Sequence, residues 1–292
     1  KLISNYRYKS EYRVILTSRK IIAVGGITVG GAGKTVVVDA ICKLLQESNK
    51  TVSVLSRGYG RSSKELLKVN ESVHTYKDVG DEPLLLAKRA PVFVGTNRAA
   101  AAQMAGDSEY LILDDGLTQK YLKPTKKIVV ISSSQQFGNG ELLPLGPNRL
   151  DFSTVKSDTD ALIVLRDESA VSDEPDLSAW GNVPKFYGRI RQNFGNLSGR
   201  LIVFCGLGYP QKFFKIFSNF EVAQTIAFPD HYPYKDSDME KLIKRAFDLH
   251  AQLVTTEKDL MRIPRIYQDK VKTVRAEIVW ENSIGCLLEI TN

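Results

Sequence analysis

Apolar positions along this chain switch between short continuous runs and a period near 3.6, and the switches mark out its elements. Short apolar runs at Ile21 to Val24, Thr51 to Leu55, Pro91 to Val94, Tyr110 to Leu113, Ile128 to Ile131 and Ala161 to Leu165 have the length of buried strands. Val37, Ala40, Ile41, Leu44 and Leu45 make one helical face with Asp39, Lys43 and Glu47 off it, and Ala99 to Ala105 is an alanine-rich helix. Strands alternating with helices predict an α/β fold with a mostly parallel sheet and helices on both faces. A second, smaller α/β unit is expected after Arg191. Its strands are Leu201 to Phe204, Ala223 to Phe228 and Leu253 to Thr255, and Pro210 opens a helix. Ser237 to Glu240 has capping-box spacing, ahead of a buried stripe of Met239, Leu242, Ile243, Ala246 and Phe247. The expected division is 1–191 and 192–292, with Arg166 to Asp176 as a surface loop and no internal repeat.

The loop between the first strand and the first helix reads Thr28-Val29-Gly30-Gly31-Ala32-Gly33-Lys34-Thr35. Glycines let backbone N–H groups curve around a phosphate, Lys34 neutralises its terminal oxygens, and the Thr35 hydroxyl is placed for Mg²⁺. This is a P-loop of the kind found in NTPases, atypical at Thr28, where the usual pattern has glycine. Asp114 and Asp115 end the Tyr110 to Leu113 strand, as a Walker B carboxylate does beside the P-loop threonine. Ser56-Arg57-Gly58-Tyr59-Gly60-Arg61 follows a strand at its carboxyl end, where open α/β sheets bind ligands, and Arg57 and Arg61 suit an anion. Asp81, just before Pro83, reads equally as a helix cap or as a catalytic carboxylate. The Gly- and Pro-rich segment Phe137 to Arg149 is expected to wall a pocket, with Arg149 as a phosphate contact. His231, between Asp230 and Tyr232-Pro233, is suited to orienting or tuning a carboxylate across a cleft. Gly206-Leu207-Gly208 is weak evidence of a second nucleotide site.

Composition narrows the partners. A net charge of +7 favours anionic ones, and three separated cysteines fit reduced thiols. No run approaches the roughly 18 apolar residues of a spanning helix. Lys1 to Lys20 forms a basic, tyrosine-containing arm suited to an anionic membrane surface or to packing on the domain. The first residue is Lys1, not Met, which leaves open an upstream start with a membrane anchor.

Taken together, Gly26 to Thr35, Ser56 to Arg61, Val79 to Pro83, Leu113 to Gly116, Phe137 to Gly140 with Leu143-Pro144 and Gly146-Pro147, Phe228 to His231 and Thr255 to Asp259 resemble the tetraacyldisaccharide 4'-kinases. The resemblance runs from about residue 22 to residue 260 in the family's order, and Thr28 looks like that family's own form of the loop. It implies transfer of the ATP γ-phosphoryl group to the 4'-hydroxyl of an anionic disaccharide lipid in lipid A biosynthesis. It further implies an ATP and Mg²⁺ site at Lys34, Thr35 and Asp114 with Asp115 close by. Asp81 and His231 would act jointly as the base, and Arg57, Arg61, Glu82, Arg98 and Arg149 would contact substrate. The smaller unit would close over a site between the two, and the enzyme would work at the cytoplasmic face of the bacterial inner membrane, with no nucleic acid and no obligate protein partner. Three features depart from the family. Leu117-Thr118-Gln119 replaces Phe-Gln-His, Leu150 replaces an acidic residue, and the N-terminal membrane helix is missing from residues 1–20. The alternative is a deviant Walker A nucleotide-switch ATPase or GTPase acting through a protein partner. Val29 stands where those proteins carry an extra lysine, and no Asn-Lys-x-Asp appears.

Overall fold

In the computed structural model, residues 12–14, 18–167, 175–282 and 287 are described. Their strands form one twelve-stranded sheet in the order β10-β9-β11-β12-β8-β7-β6-β1-β5-β2-β4-β3. The strands are β1 (Lys20–Gly26), β2 (Val52–Ser56), β3 (Leu67–Lys68), β4 (Val92–Val94), β5 (Tyr110–Asp114), β6 (Lys126–Ser132), β7 (Ala161–Asp167), β8 (Lys185–Asn193), β9 (Arg200–Cys205), β10 (Val222–Ala227), β11 (Ala251–Thr256) and β12 (Val271–Trp280). All neighbours pair in parallel except β3 with β4 and β8 with β12.

Period-two alternation sends successive strand residues to opposite faces. On one face Ile22, Val24, Val54 and Ile112 meet Val37, Ile41 and Leu45 of helix α1 (Lys34–Glu47). On the other, Ile21, Ala23, Leu55, Leu111 and Leu113 meet Ala101 and Ala102 of a helix spanning Arg98–Met104. Each fully buried Ile or Leu of these layers contributes about 1.5–3 kcal/mol. The same division recurs beyond β8. Ile202 and Phe204 pack on Met239, Leu242 and Ala246 of the helix Asp236–Asp248, while Leu201, Val203 and Cys205 pack on Phe213. A mostly parallel sheet with helices on both faces is thus present.

β12 joins the two sets of layers. Its residues Val271 to Val274 pair with β11, and Arg275 to Trp280 pair with β8. Position 191, the expected boundary, lies inside β8.

Several expectations need adjustment. β3, β8 and β12 were not read from the sequence, because β8 and β12 interleave Lys and Arg with apolar residues and are only partly covered. The helix expected to be capped at Ser237 begins at Asp236, and the Asp238 carboxylate accepts the Lys235 N–H at 3.0 Å. Phe247 is 78% exposed and Ile243 half-buried, so the stripe is narrower than expected. β7 continues through Arg166 to Asp167, and residues 168–174 of the expected surface loop lie outside the described residues. So does most of the basic arm. Its described part packs on the domain, with Arg13 N–H donating to Lys120 O (2.9 Å) and Arg19 to Ala102 O (2.6 Å). Among the described residues, no helix is long and apolar enough to cross a membrane.

Candidate active site

The phosphate loop leaves β1 at Gly26 and enters α1 through Gly33. Gly30 (φ 100°) and Gly33 (φ 82°) hold left-handed conformations that side chains rarely adopt. A Cβ on Gly33 would fall 2.4 Å from Leu165 Cδ1. Within the loop, Ala32 N–H donates to Gly30 O at 2.8 Å. The segment 137–149 braces it from the side. Val29 N–H donates to Pro147 O (2.8 Å), Arg149 N–H donates to Ile27 O (2.7 Å), and Thr28 bridges to Asn148. Thr28, the irregular first position, is buried in that bridge. Gly31 and Ala32 complete the turn, Lys34 is half-buried, and Thr35 is buried at the helix start.

At the tip of β5, Asp114 is buried and accepts a hydrogen bond from Ser56 Oγ at 3.0 Å. Burial first, then the charges of Glu82 and Asp115, push its carboxyl up to about 7, against the pull of Ser56 and Lys34. A cation placed beside this carboxylate would pull it back toward the ionised form. Asp115 has φ 50° and is gripped by Arg149 through two parallel bonds of 2.7 Å each, while Arg149 also donates to Gly26 O at 3.2 Å. Burial raises the Asp115 carboxyl, but Arg149 outweighs it and holds it below the usual range. Among the described residues there is no cluster of three or more His, Cys, Asp or Glu ligands. A hydroxyl and one free carboxylate still fit Mg²⁺, which keeps waters and phosphate oxygens and takes one or two protein carboxylates.

Asp81 opens the helix Asp81–Ala87, directly after Gly80. Its carboxylate is buried, accepts the Glu82 N–H at 2.9 Å, and meets His231 Nδ1 at 3.0 Å. His231 sits at φ 55°, its N–H bonded to Gly206 O at 3.1 Å, with its ring 5.8 Å from that of Tyr59. Burial works to raise Asp81, yet the hydrogen bond and charge of His231, with Arg262 and Lys258, leave it below the ordinary value. His231 is raised by the hydrogen bond to Asp81 against its own partial burial. Glu82 pairs with Lys258, from the helix Glu257–Leu260 after β11, and burial of Glu82 is outweighed by that lysine. Lys34 acts on Glu82, Asp114 and Asp115, so the phosphate loop and the Asp81 corner lie in one electrostatic field.

The arginines divide. Arg57 is exposed at the mouth, and Arg61 donates to Glu65 O at 2.7 Å. Arg98 is 4% exposed, bonded to Gly95 O and lowered to about 10 by burial, so it acts on Asp114 and Asp115 from within the wall. The sequence reading missed Arg262 and gave no role to Lys258 or Asp259. Arg262 Nε stands 3.5 Å from the Asp81 carboxylate. Fully buried Asp259 accepts from Gly206 N–H, Tyr234 OH and Arg262 Nη2, each at 2.8 Å. The run Thr255 to Asp259 was the only signal pointing to that network.

A family model described as tetraacyldisaccharide-1-P 4'-kinase matches residues 2–289. The chain is 35% identical over 267 residues to the tetraacyldisaccharide 4'-kinase of Hyphomonas neptunium, covering 90% of this chain and 79% of that relative. It is 37% identical over 251 residues to the enzyme of that name from Parvibaculum lavamentivorans, covering 83% and 73%. The crystal structure of LpxK from Aquifex aeolicus in complex with ATP superposes with a TM-score of 0.76 at 26% identity, covering 98% of this chain and 92% of that one.

Proposed function

The chain belongs to the tetraacyldisaccharide-1-P 4'-kinases, and from that premise we propose how its residues divide the work of the phosphoryl transfer. It is an ATP- and Mg²⁺-dependent phosphotransferase of lipid A biosynthesis, and the nucleotide-switch alternative is not favoured. Thr28 to Thr35 cradle the nucleotide phosphates, with Lys34 against the transferred group. Thr35 and Asp114 hold Mg²⁺, which supplies charge neutralisation on the phosphates when bound, while Asp115 is ordered by Arg149. Asp81 takes the proton of the attacking 4'-hydroxyl onto its carboxylate, and His231 orients that carboxylate and keeps it ionised. Glu82, the exposed Arg57 and the half-buried Arg61 line the acceptor side, and Arg98 adds positive potential from beneath.

The observation that carries this reading is the Asp81–His231 contact of 3.0 Å, made between residues 150 positions apart. A structural cap would not need a partner from the far end of the chain. Because phosphoryl transfer depends on positioning and charge stabilisation, a base kept ionised throughout the physiological range is serviceable even though it is weak.

We further propose that the expected division near residue 191 marks two lobes, with the β12 segment Arg275 to Trp280 remaining with the first through its pairing to β8, and that they close to bring His231 onto Asp81. The acceptor is an anionic lipid, and the net charge of +7 supports peripheral contact with a membrane surface on the side where ATP is available, the cytoplasmic face of the inner membrane. The test is transfer of label from γ-labelled ATP to the disaccharide lipid by Asp81→Asn. Expected is a fall in kcat of roughly 10²–10⁴-fold with ATP binding retained. Near-normal lipid labelling by that variant removes Asp81 as the base.

A further inference from the structure

The Arg262 side chain is 2% exposed, a costly place for a guanidinium, and the structure uses only part of its donor set. Nη2 donates to Asp259 Oδ1 at 2.8 Å and to Gly206 O at 3.2 Å. Nε and Nη1 are buried with no hydrogen-bond partner among the described residues, and Nε faces Asp81 Oδ2 at 3.5 Å. Gly206 is the crossing point. Its N–H is held by Asp259, and its carbonyl takes both Arg262 Nη2 and the backbone N–H of His231. A Cβ there would lie 2.9 Å from Pro229 O and 3.1 Å from Tyr232 Cβ, so the His231 loop is packed directly against this residue.

We infer that Arg262 is the positioning residue of the Asp81–His231 pair, fixing the His231 loop through the Gly206 carbonyl while its guanidinium holds the Asp81 carboxylate from the other side. Two observations favour this over a merely structural ion pair. Asp259 already receives Gly206 N–H, Tyr234 OH and Thr256 Oγ1 besides Arg262, so it does not need the arginine for hydrogen bonding. The unpartnered Nε of Arg262 faces Asp81, where a charge buried without purpose would be strongly disfavoured. The charged groups acting on Asp81 are His231, Arg262 and Lys258, with Glu82 next in the chain, and Arg262 is the most deeply buried cation among them.

The inference rests on Asp81 being the base, and the experiment separates the two. Lipid phosphorylation by full-length Arg262→Gln and Arg262→Lys is measured from pH 5 to 9, with ATP binding and a thermal melt as controls for folding. Arg262→Gln is expected to lose kcat by about tenfold or more at unchanged ATP affinity, with the acidic limb of kcat/KM moved to higher pH, because the ionised carboxylate loses a cation. Arg262→Lys keeps the charge but not the fork, so its acidic limb stays in place while kcat falls by about threefold or more. If Arg262→Gln does not fold, Arg262→Lys decides alone, and wild-type kcat in it overturns the inference. A folded Arg262→Gln with an unmoved limb overturns it as well. Loss of activity in Asp81→Asn together with wild-type behaviour of both Arg262 variants sinks only the inference, whereas activity in Asp81→Asn sinks the reading beneath it.

Discussion

Gly80 offers a sharp test of how the active-site corner is assembled. It precedes Asp81 and holds φ 93° and ψ 157°, a region essentially closed to side chains. A Cβ built on it would stand 2.9 Å from Tyr59 O and 3.3 Å from Gly58 Cα. Both neighbours are backbone of the Ser56 to Arg61 loop. Gly80→Ala therefore carries about 1–3 kcal/mol of backbone strain. The Tyr59 carbonyl must also retreat by roughly half an ångström to ordinary contact, which adds about 1–3 kcal/mol by analogy with overpacked cores. Together these give an expected loss of about 2–6 kcal/mol. Gly60→Ala is the control. Its φ of 76° carries strain, but nothing lies within 4 Å of the added Cβ, so about 1–2 kcal/mol is expected. Urea midpoints compare the two variants, and saturating-ATP lipid phosphorylation reads the displacement of Asp81, where a shift of about 1 Å lowers kcat on the order of a hundredfold. If Gly80→Ala is no less stable than Gly60→Ala and its kcat stays within about threefold of wild type, the close approach of the two loops does not set the Asp81 position.

The grip of Arg149 on Asp115 and on Gly26 O predicts that Arg149→Lys, which keeps the charge and loses the fork, lowers stability by about 1 kcal/mol, a value discounted because both side chains are partly exposed. The same variant should raise the KM for ATP by about threefold or more, because Arg149 ties the bracing segment to the phosphate loop; unchanged values of both would refute this. For the His231 and Asp81 pair, the raised His231 contributes stability below its unfolded value of about 6.5 and loses it as pH rises through the folded value. The depressed Asp81 contributes above about 3.9 and loses it as pH falls through its folded value. The stability gap between wild type and His231→Asn should therefore be widest between about pH 4 and 6.5 and shrink toward pH 9, and urea titrations giving a constant gap would contradict the assignment.

The phosphate loop was legible because each of its needs is local. Gly30 and Gly33 supply positive φ, and the helix face of Val37, Ile41 and Leu45 follows at once in the chain. The buried strands were legible for the same reason, since a run such as Leu111, Ile112 and Leu113 is covered on both faces. β8 and β12 were not, because Arg189, Arg191, Lys272 and Arg275 interrupt them and their partners are set by tertiary pairing. In the site, the motif around Asp81 marked a position without choosing between cap and base. The His231 contact, which depends on how Gly206 and β9 place a loop from the other end of the chain, is not encoded in any short spacing. Arg262 was missed because its role exists only once Asp259, Gly206 and Asp81 converge.

The contacts between the two proposed lobes explain why a closing motion is compatible with so extensive a sheet. Asp81 meets His231, Glu82 meets Lys258, and Arg265 donates to the carbonyls of Glu71 (2.6 Å) and His74 (2.9 Å). All are polar groups that water can satisfy when they part. Among the described residues of 192–270, Met261 alone packs into the cores of the first unit. Opening would therefore expose little apolar surface, and ion pairs, each modest where half-exposed, would set the balance. β12 can act as the joint, since its pairing passes from β11 to β8 between Val274 and Arg275. On the proposed reading, the Asp81–His231 pair is then also part of the latch. A substitution that weakens Asp81–His231 acts on chemistry and on the closed population together, whereas one at Arg265 acts on the closed population alone, and comparing their effects on kcat and KM separates the two contributions.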